Sequence, residues 1–166
     1  MSLGLLLLRL IAGGIFAAHG YPKLSGGRRK PVSPIAARYL GPGFVQSMQT
    51  GHAGFAAALR EMGVPMAGLM AFVVGAVEFL GGLLVMLGWF TRPAALLLSA
   101  DMGVAIWKVH WPTGLVGPAG FEFPFSLIGA CLALVFAGPG QISLDGLQAV
   151  LVSLARRRRS LSFQRH

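Results

Sequence analysis

The run 75-GAVEFLGGLLVMLGW-89 decides the fold: fourteen uncharged residues, nearly all apolar or glycine, surround one carboxylate, Glu78. A stretch so apolar reads as the inside of a membrane helix, which needs about 20 mainly apolar residues. Carried to its natural ends it predicts a span over 66–90, and three other segments, 3–21, 93–111 and 121–138, have the same character. The connections are equally readable. The turn 90-FTRP-93 is tight and polar, with Pro93 suited to the first turn of the next helix. The Pro/Gly-rich 111-WPTGLVGPAG-120 is a loop, and 138-GPGQ-141 stops the last span.

The composition agrees with this reading. The 166 residues are 55% hydrophobic and 11% charged, against about a quarter charged in soluble domains. Fourteen Lys and Arg stand against five acids, for a net charge of +9, and the basic residues are bunched as 28-RRK-30 and 156-RRRR-159. Basic runs that flank hydrophobic spans belong at lipid headgroups, which makes membrane lipid the expected partner and gives no support to a nucleic-acid partner. The single cysteine, Cys131, lies in an apolar run, so neither an intramolecular disulfide nor CxxC chemistry is available, and a small buried hydrophobe is expected there. Arg9 falls inside the first apolar run rather than ahead of it, which reads as a retained span and not a secretory signal.

Two segments do not span. Within 23–65, the stretch 52-HAGFAAALREMG-63 has Phe55, Leu59 and Met62 at helical spacing and Gly63 as a C-cap, predicting a short interfacial helix. After the fourth span, 142–166 is a basic tail in which Ile142, Leu147, Val150, Leu151 and Leu154 share a side, predicting an amphipathic helix on the membrane surface. The fold class is therefore all-α: one integral membrane domain over 1–166, a four-helix bundle with an interfacial helix in its first loop and an amphipathic C-terminal helix. Four spans put both termini on one side. The basic residues divide evenly between the two sides, so the positive-inside rule returns a tie.

A charge at the bilayer centre costs at least ~2.5–3.5 kcal/mol, so such groups face the bundle interior and find partners. Counting depth along the spans at ~1.5 Å per residue places Arg9, Glu78 and Asp101 in one layer, an intramembrane ion cluster. A second layer gathers His19 and Lys23, an i,i+4 pair, with Lys108, His110 and Glu122. On the third span Asp101, Ala105 and Lys108 share a face while His110 points elsewhere, so Lys108 and His110 do not serve one site. Simpler roles stand beside these. Lys23 and Lys108 can snorkel to headgroups, His19 and His110 can be structural imidazoles, and Trp89, Trp107 and Trp111 can be interfacial anchors. Gly75, Gly81 and Gly82 around Glu78 permit close helix approach and make it an interior group.

Taken in order, 8-LRLIAGGIFAAHGYPKL-24, 75-GAVEFLGGLLVMLGWFTRPAALLL-98, 101-DMGVAIWKVH-110, 120-GFEFPFSLIGACLAL-134 and 138-GPGQISLD-145 resemble the DoxX family of small four-span membrane proteins. The family's polar pattern falls on Arg9, His19, Gly20, Lys23, Glu78, Gly81, Gly82, Arg92, Met102, His110, Glu122 and Asp145. Asp101 and the arginine-rich tail are outside it. The resemblance implies a multi-pass protein of the bacterial cytoplasmic membrane, loosely associated with redox work such as quinone-linked sulfur oxidation and complexes against oxidative stress. Some relatives act with cysteine chemistry, against which the lone Cys131 argues.

The leading expectation is an accessory subunit of a redox system, in which His19, Lys23, His110 and Glu122 supply hydrogen-bond donors and a proton source to a quinone head or small oxidant. Other membrane or redox proteins are its expected partners. The alternative is a non-enzymatic scaffold or stabiliser of partner proteins, favoured by the absence of any CxxC, haem-type histidine spacing or nucleotide loop. Metal binding by His19, His110 and Glu122 is a weaker third reading, with suitable ligand types but no diagnostic spacing. The sequence assigns no reaction, and whether the protein is an enzyme stays open.

Overall fold

A computed structural model describes residues 2–27, 31–117 and 119–163, with side chains as far as Leu154. Among these residues helices are the regular structure, and there are no strands. The elements are α1 (Ser2–Ser25), α2 (Pro34–Glu61), α3 (Ala67–Leu87), α4 (Thr91–Ala105), α5 (Glu122–Ala137) and α6 (Leu144–Phe163), with a π turn over Ile106–His110 and a 3₁₀ turn over Trp111–Thr113 after α4. The basic cluster at 28–30, the side chains of the arginine run 156–159, and residues 164–166 lie outside this description.

α1 and α3 run antiparallel in close contact, and glycine makes the contact possible. A Cβ on Gly13 would lie 2.6 Å from the Gly82 carbonyl oxygen, and one on Gly82 would lie 2.6 Å from the Gly13 carbonyl oxygen. Small residues at a helix seam let backbones approach to this degree, and in lipid such packing replaces the hydrophobic drive that brings helices together in water. Two turns further along, Gly20 faces Gly75 and Glu78. This seam fixes the register of the polar residues. α4 and α5 complete a shared core in which Phe16 of α1 and Val85 of α3 meet Leu98 and Met102 of α4 and Leu127, Cys131 and Leu134 of α5. Cys131 is a free, fully buried thiol, the small core hydrophobe that its apolar run predicted. Ser2 Oγ donates to Gln141 Oε1 at 3.3 Å, so the start of α1 and the chain leaving α5 meet at one end of the molecule.

α1 and α3, with mean hydropathies of 1.7 and 2.2, are long and apolar enough to cross a membrane. Their outward faces are apolar too, with Leu3, Ile11, Phe72 and Leu80 all more than half exposed. α4 and α5 have 15 and 16 α-helical residues. The predicted span over 93–111 leaves α geometry at Ile106, where the π turn begins.

The short helix expected within 52–63 is present, as the last segment of a longer kinked helical stretch. α2 covers Pro34–Glu61 and is broken at Gly41 (φ 80°) and Gly51 (φ 57°). Its start is capped by Ser33, whose Oγ accepts from the Ala36 amide at 3.1 Å, with Pro34 in the first turn. Both glycines leave helical geometry, so the helix is kinked at each and its last segment is 52–61. The end is as predicted: Gly63 adopts φ 72°, its amide donates to the Arg60 carbonyl and that of Val64 to the Leu59 carbonyl, which is a Schellman cap.

Candidate functional site: a pocket at the far end of the helices

The α1–α3 register changes the expected pairing. Glu78, 4% exposed, is bridged by Lys23, whose Nζ lies 2.5 Å from Glu78 Oε2. Arg9 is ten residues before His19 on α1, about 15 Å along the axis. It sits beside Gly88 at the other end of α3, and its Nη2 donates to the Ile142 carbonyl. Arg9, Glu78 and Asp101 therefore do not form one ion cluster. Glu78 sits at the middle of its span and Arg9 only about six residues into its own, and the glycine seam, which sets Gly13 against Gly82 and Gly20 against Gly75, keeps the two apart. Asp101 stays near Glu78 and Lys23, with which it lines a cavity, and its Oδ2 is buried without a hydrogen-bond partner.

A pocket of about 470 Å³ opens among α1, α4, the π turn and α5. Its polar lining is His19, Lys23, Glu78 and His110, and its apolar walls include Ile15, Phe16, Met102 and Leu127. Helical periodicity puts His19 and Lys23 on one face of α1. The His19 ring tilts against Phe123 at 6.4 Å between centroids, and the Lys23 ammonium rests over the Phe55 ring of α2 at 4.4 Å, a cation–π distance. The π turn brings His110 in. Such turns are rare and recur at functional sites. Here the turn leaves Met102, Ala105 and His110 on the pocket, while Asp101, Val104 and Lys108 line a different cavity. His110 Nδ1 lies 2.8 Å from the Ala119 carbonyl oxygen. A carbonyl only accepts, so Nδ1 carries the hydrogen and Nε2 is left for the pocket.

Glu122 does not join this group. The inward face of α5 is Pro124, Leu127, Cys131 and Leu134, and Glu122, two residues from Pro124, points away and is exposed. Lys108 lies outside the pocket, its ammonium over the Trp107 ring at 4.5 Å. Among the described residues no three His, Cys, Asp or Glu side chains come together in a metal-ligating group.

The opposite end carries a second polar knot, which sequence reasoning did not build. Asp145, at the start of α6, accepts from the amides of Phe90 (3.0 Å) and Thr91 (3.1 Å) and from the Thr91 hydroxyl (3.1 Å). It caps α4 from a distant helix and holds Phe90 at φ 48°, a left-handed conformation that costs a non-glycine residue free energy. Its own amide donates to the Gly88 carbonyl at 2.9 Å. No local signal announces a cap supplied from 54 residues away. The position appears in the sequence only through the family pattern.

The DoxX family model matches residues 4–111. The chain is 35% identical over 147 residues to the inner membrane protein YphA of Escherichia coli, covering 85% of this chain and 87% of YphA. It is 29% identical to CatD of Bacillus subtilis, which bears a provisional oxidoreductase name, over 87% of this chain and 86% of CatD. It is 30% identical to an uncharacterized membrane protein of Mycobacterium tuberculosis, over 83% of this chain and 77% of that protein. No solved structure matches the chain at the same stringency.

Proposed function

We propose, from the premise that this chain belongs to the DoxX family of membrane proteins, that it is an accessory subunit of a redox system and binds a quinone head or small oxidant at the far end of its helices. The protein crosses the bacterial inner membrane four times, by α1, α3, α4 continued through the π turn, and α5, as one domain. Two features support this. Their outward faces expose apolar side chains suited to contact with lipid, and α1 starts where α5 ends, as an even number of crossings requires. The oxidoreductase name of the relative CatD points the same way.

The observation that carries the reading is the pocket of about 470 Å³, whose apolar walls meet Lys23, His19 and His110. This volume falls within the ~300–1,000 Å³ of small-molecule sites. A quinone carbonyl accepts hydrogen bonds, Lys23 carries donors, and a histidine supplies a donor or a proton beside the ring. Glu78 holds the Lys23 ammonium in place. Glu122 is the exposed acid nearest in sequence to this mouth and has no direct part in the binding.

The test is the lipid extract of the protein purified in mild detergent, followed by titration of the stripped protein with decylubiquinone. Saturable binding that is weakened about tenfold or more by Lys23→Met, the factor expected when a charged hydrogen-bond donor is lost, is the expected result. Absence of both co-purified quinone and titratable binding overturns the reading. The scaffold alternative would then lead, since the Lys23–Glu78 bridge satisfies both charges without a ligand.

A further inference from the structure

A second cavity, of about 190 Å³, lies on the other side of the Lys23–Glu78 bridge, between α2, α3 and α4. Phe55 and Leu59 of α2 and its C-cap Met62 roof it, and Met70 and Val74 of α3 wall it. Its polar lining is Lys23, Glu78, Asp101 and Lys108. Both lysines are engaged: Lys23 with Glu78 and Phe55, and Lys108 with the Trp107 ring. Asp101 is not, since its Oδ2 is buried with no hydrogen-bond partner. A buried acceptor left open carries the full cost of its desolvation, which a ligand with a donor removes.

We infer that this chamber is a second binding site, for a small lipophilic molecule with an O–H donor, a phenol or quinol ring, whose hydroxyl donates to Asp101. The size sets the class. A dry cavity of ~150 Å³ holds a benzene ring, and 190 Å³ holds one substituted ring and little more. The lining sets the polarity. The neighbouring pocket offers Lys23 and histidine donors to a carbonyl, whereas this one offers a carboxylate acceptor to a hydroxyl. The two sites share Lys23, Glu78 and Ala105 and otherwise have different walls, so the inference stands apart from the quinone reading of the first pocket.

The test compares para-fluorophenol with para-fluoroanisole, which keeps the ring and removes the donor, by fluorine NMR on the protein in lipid nanodiscs. Saturable binding of the phenol at least about tenfold tighter than that of the ether is expected, as for a hydrogen bond that satisfies a buried acceptor. Asp101→Leu removes that preference. Val74→Trp, which fills the chamber and does not touch the first pocket, abolishes binding even if Asp101→Leu fails to fold, and His110→Ala leaves it unchanged. Equal binding of phenol and ether, no saturable binding, or binding that survives Val74→Trp overturns the inference.

Discussion

The two ends of this protein use buried charge in opposite ways. At the end where the chain starts, Arg9 is 1% exposed and donates through Nη2 to the Ile142 carbonyl, with Nε and Nη1 buried without a hydrogen-bond partner, while the Asp145 carboxylate accepts from the amides of Phe90 and Thr91 and from the Thr91 hydroxyl. At the far end, Lys23 and Glu78 close on each other, and cavities lie on both sides of the bridge. The Asp145 carboxylate is committed to the first amides of α4 and ties α6 to that helix end. A charge paired across a cavity keeps its partner residues, His19, His110 and Asp101, within reach of something else. Polar residues in lipid are costly in both places, so the contrast separates a cost met by architecture from one met at a site.

The sharpest way to break that contrast is Arg9→Ala. The guanidinium fills space against Gly88 and its loss leaves both a void and an unpaired Ile142 carbonyl. Large-to-small changes of a fully buried side chain cost about 2–5 kcal/mol, and about 3 kcal/mol is expected here, read as a large fall in the detergent melting temperature. Binding at the far end, measured on the surviving folded fraction, should not change. A variant as heat-stable as the parent would mean that Arg9 is not structural and that the two ends are not different in kind.

How much of this was visible before the structure depends on range. The long apolar helices α1 and α3, the Gly63 cap and the shared face of His19 and Lys23 are local facts, set by residues close to each other in sequence, and they read directly from it. Glu78 was legible as an interior group but its partner was not. The partner depends on how far α1 is offset from α3, which is decided by the Gly13–Gly82 and Gly20–Gly75 contacts. The same limit hid the Asp145 cap and the π turn that aims His110. In α2 the segment 52–61 was legible from its apolar spacing, whereas the helical turns ahead of it, around Gly41, were not.

A middle-sized effect sharpens the far side of the comparison. Glu78→Gln removes the partner of Lys23, whose side chain is 18% exposed and lies near the end of α1. Such a lysine can turn toward headgroups, so the loss is expected at about 2 kcal/mol, near the value of one charge-assisted hydrogen bond and below that of Arg9→Ala. Asp101 borders the same cavity and can take over part of the pairing. The double variant Glu78→Gln, Asp101→Asn should then lose more than the sum of the single changes, measured as a double-mutant cycle on thermal stability in detergent. Strict additivity would show that Asp101 does not share the charge of Lys23.

The smallest stability effect should come with the largest functional one. His110 is half-buried and makes one side-chain hydrogen bond, to the Ala119 carbonyl. Its neighbour Thr113 also donates to that carbonyl, at 2.8 Å, so the acceptor is not orphaned when the imidazole goes. His110→Ala should therefore cost about 1 kcal/mol or less. If the pocket is a ligand site, the same change should abolish saturable binding of decylubiquinone or reduce it about tenfold, and should prevent rescue of a deletion strain under oxidative or thiosulfate challenge. Glu122→Gln is the control, because that exposed side chain points off the inward face of α5 and should alter neither stability nor rescue. Full rescue by a stable His110→Ala protein would take the imidazole out of the site. Loss of rescue with Glu122→Gln alone would move the functional surface from the pocket to the exposed start of α5.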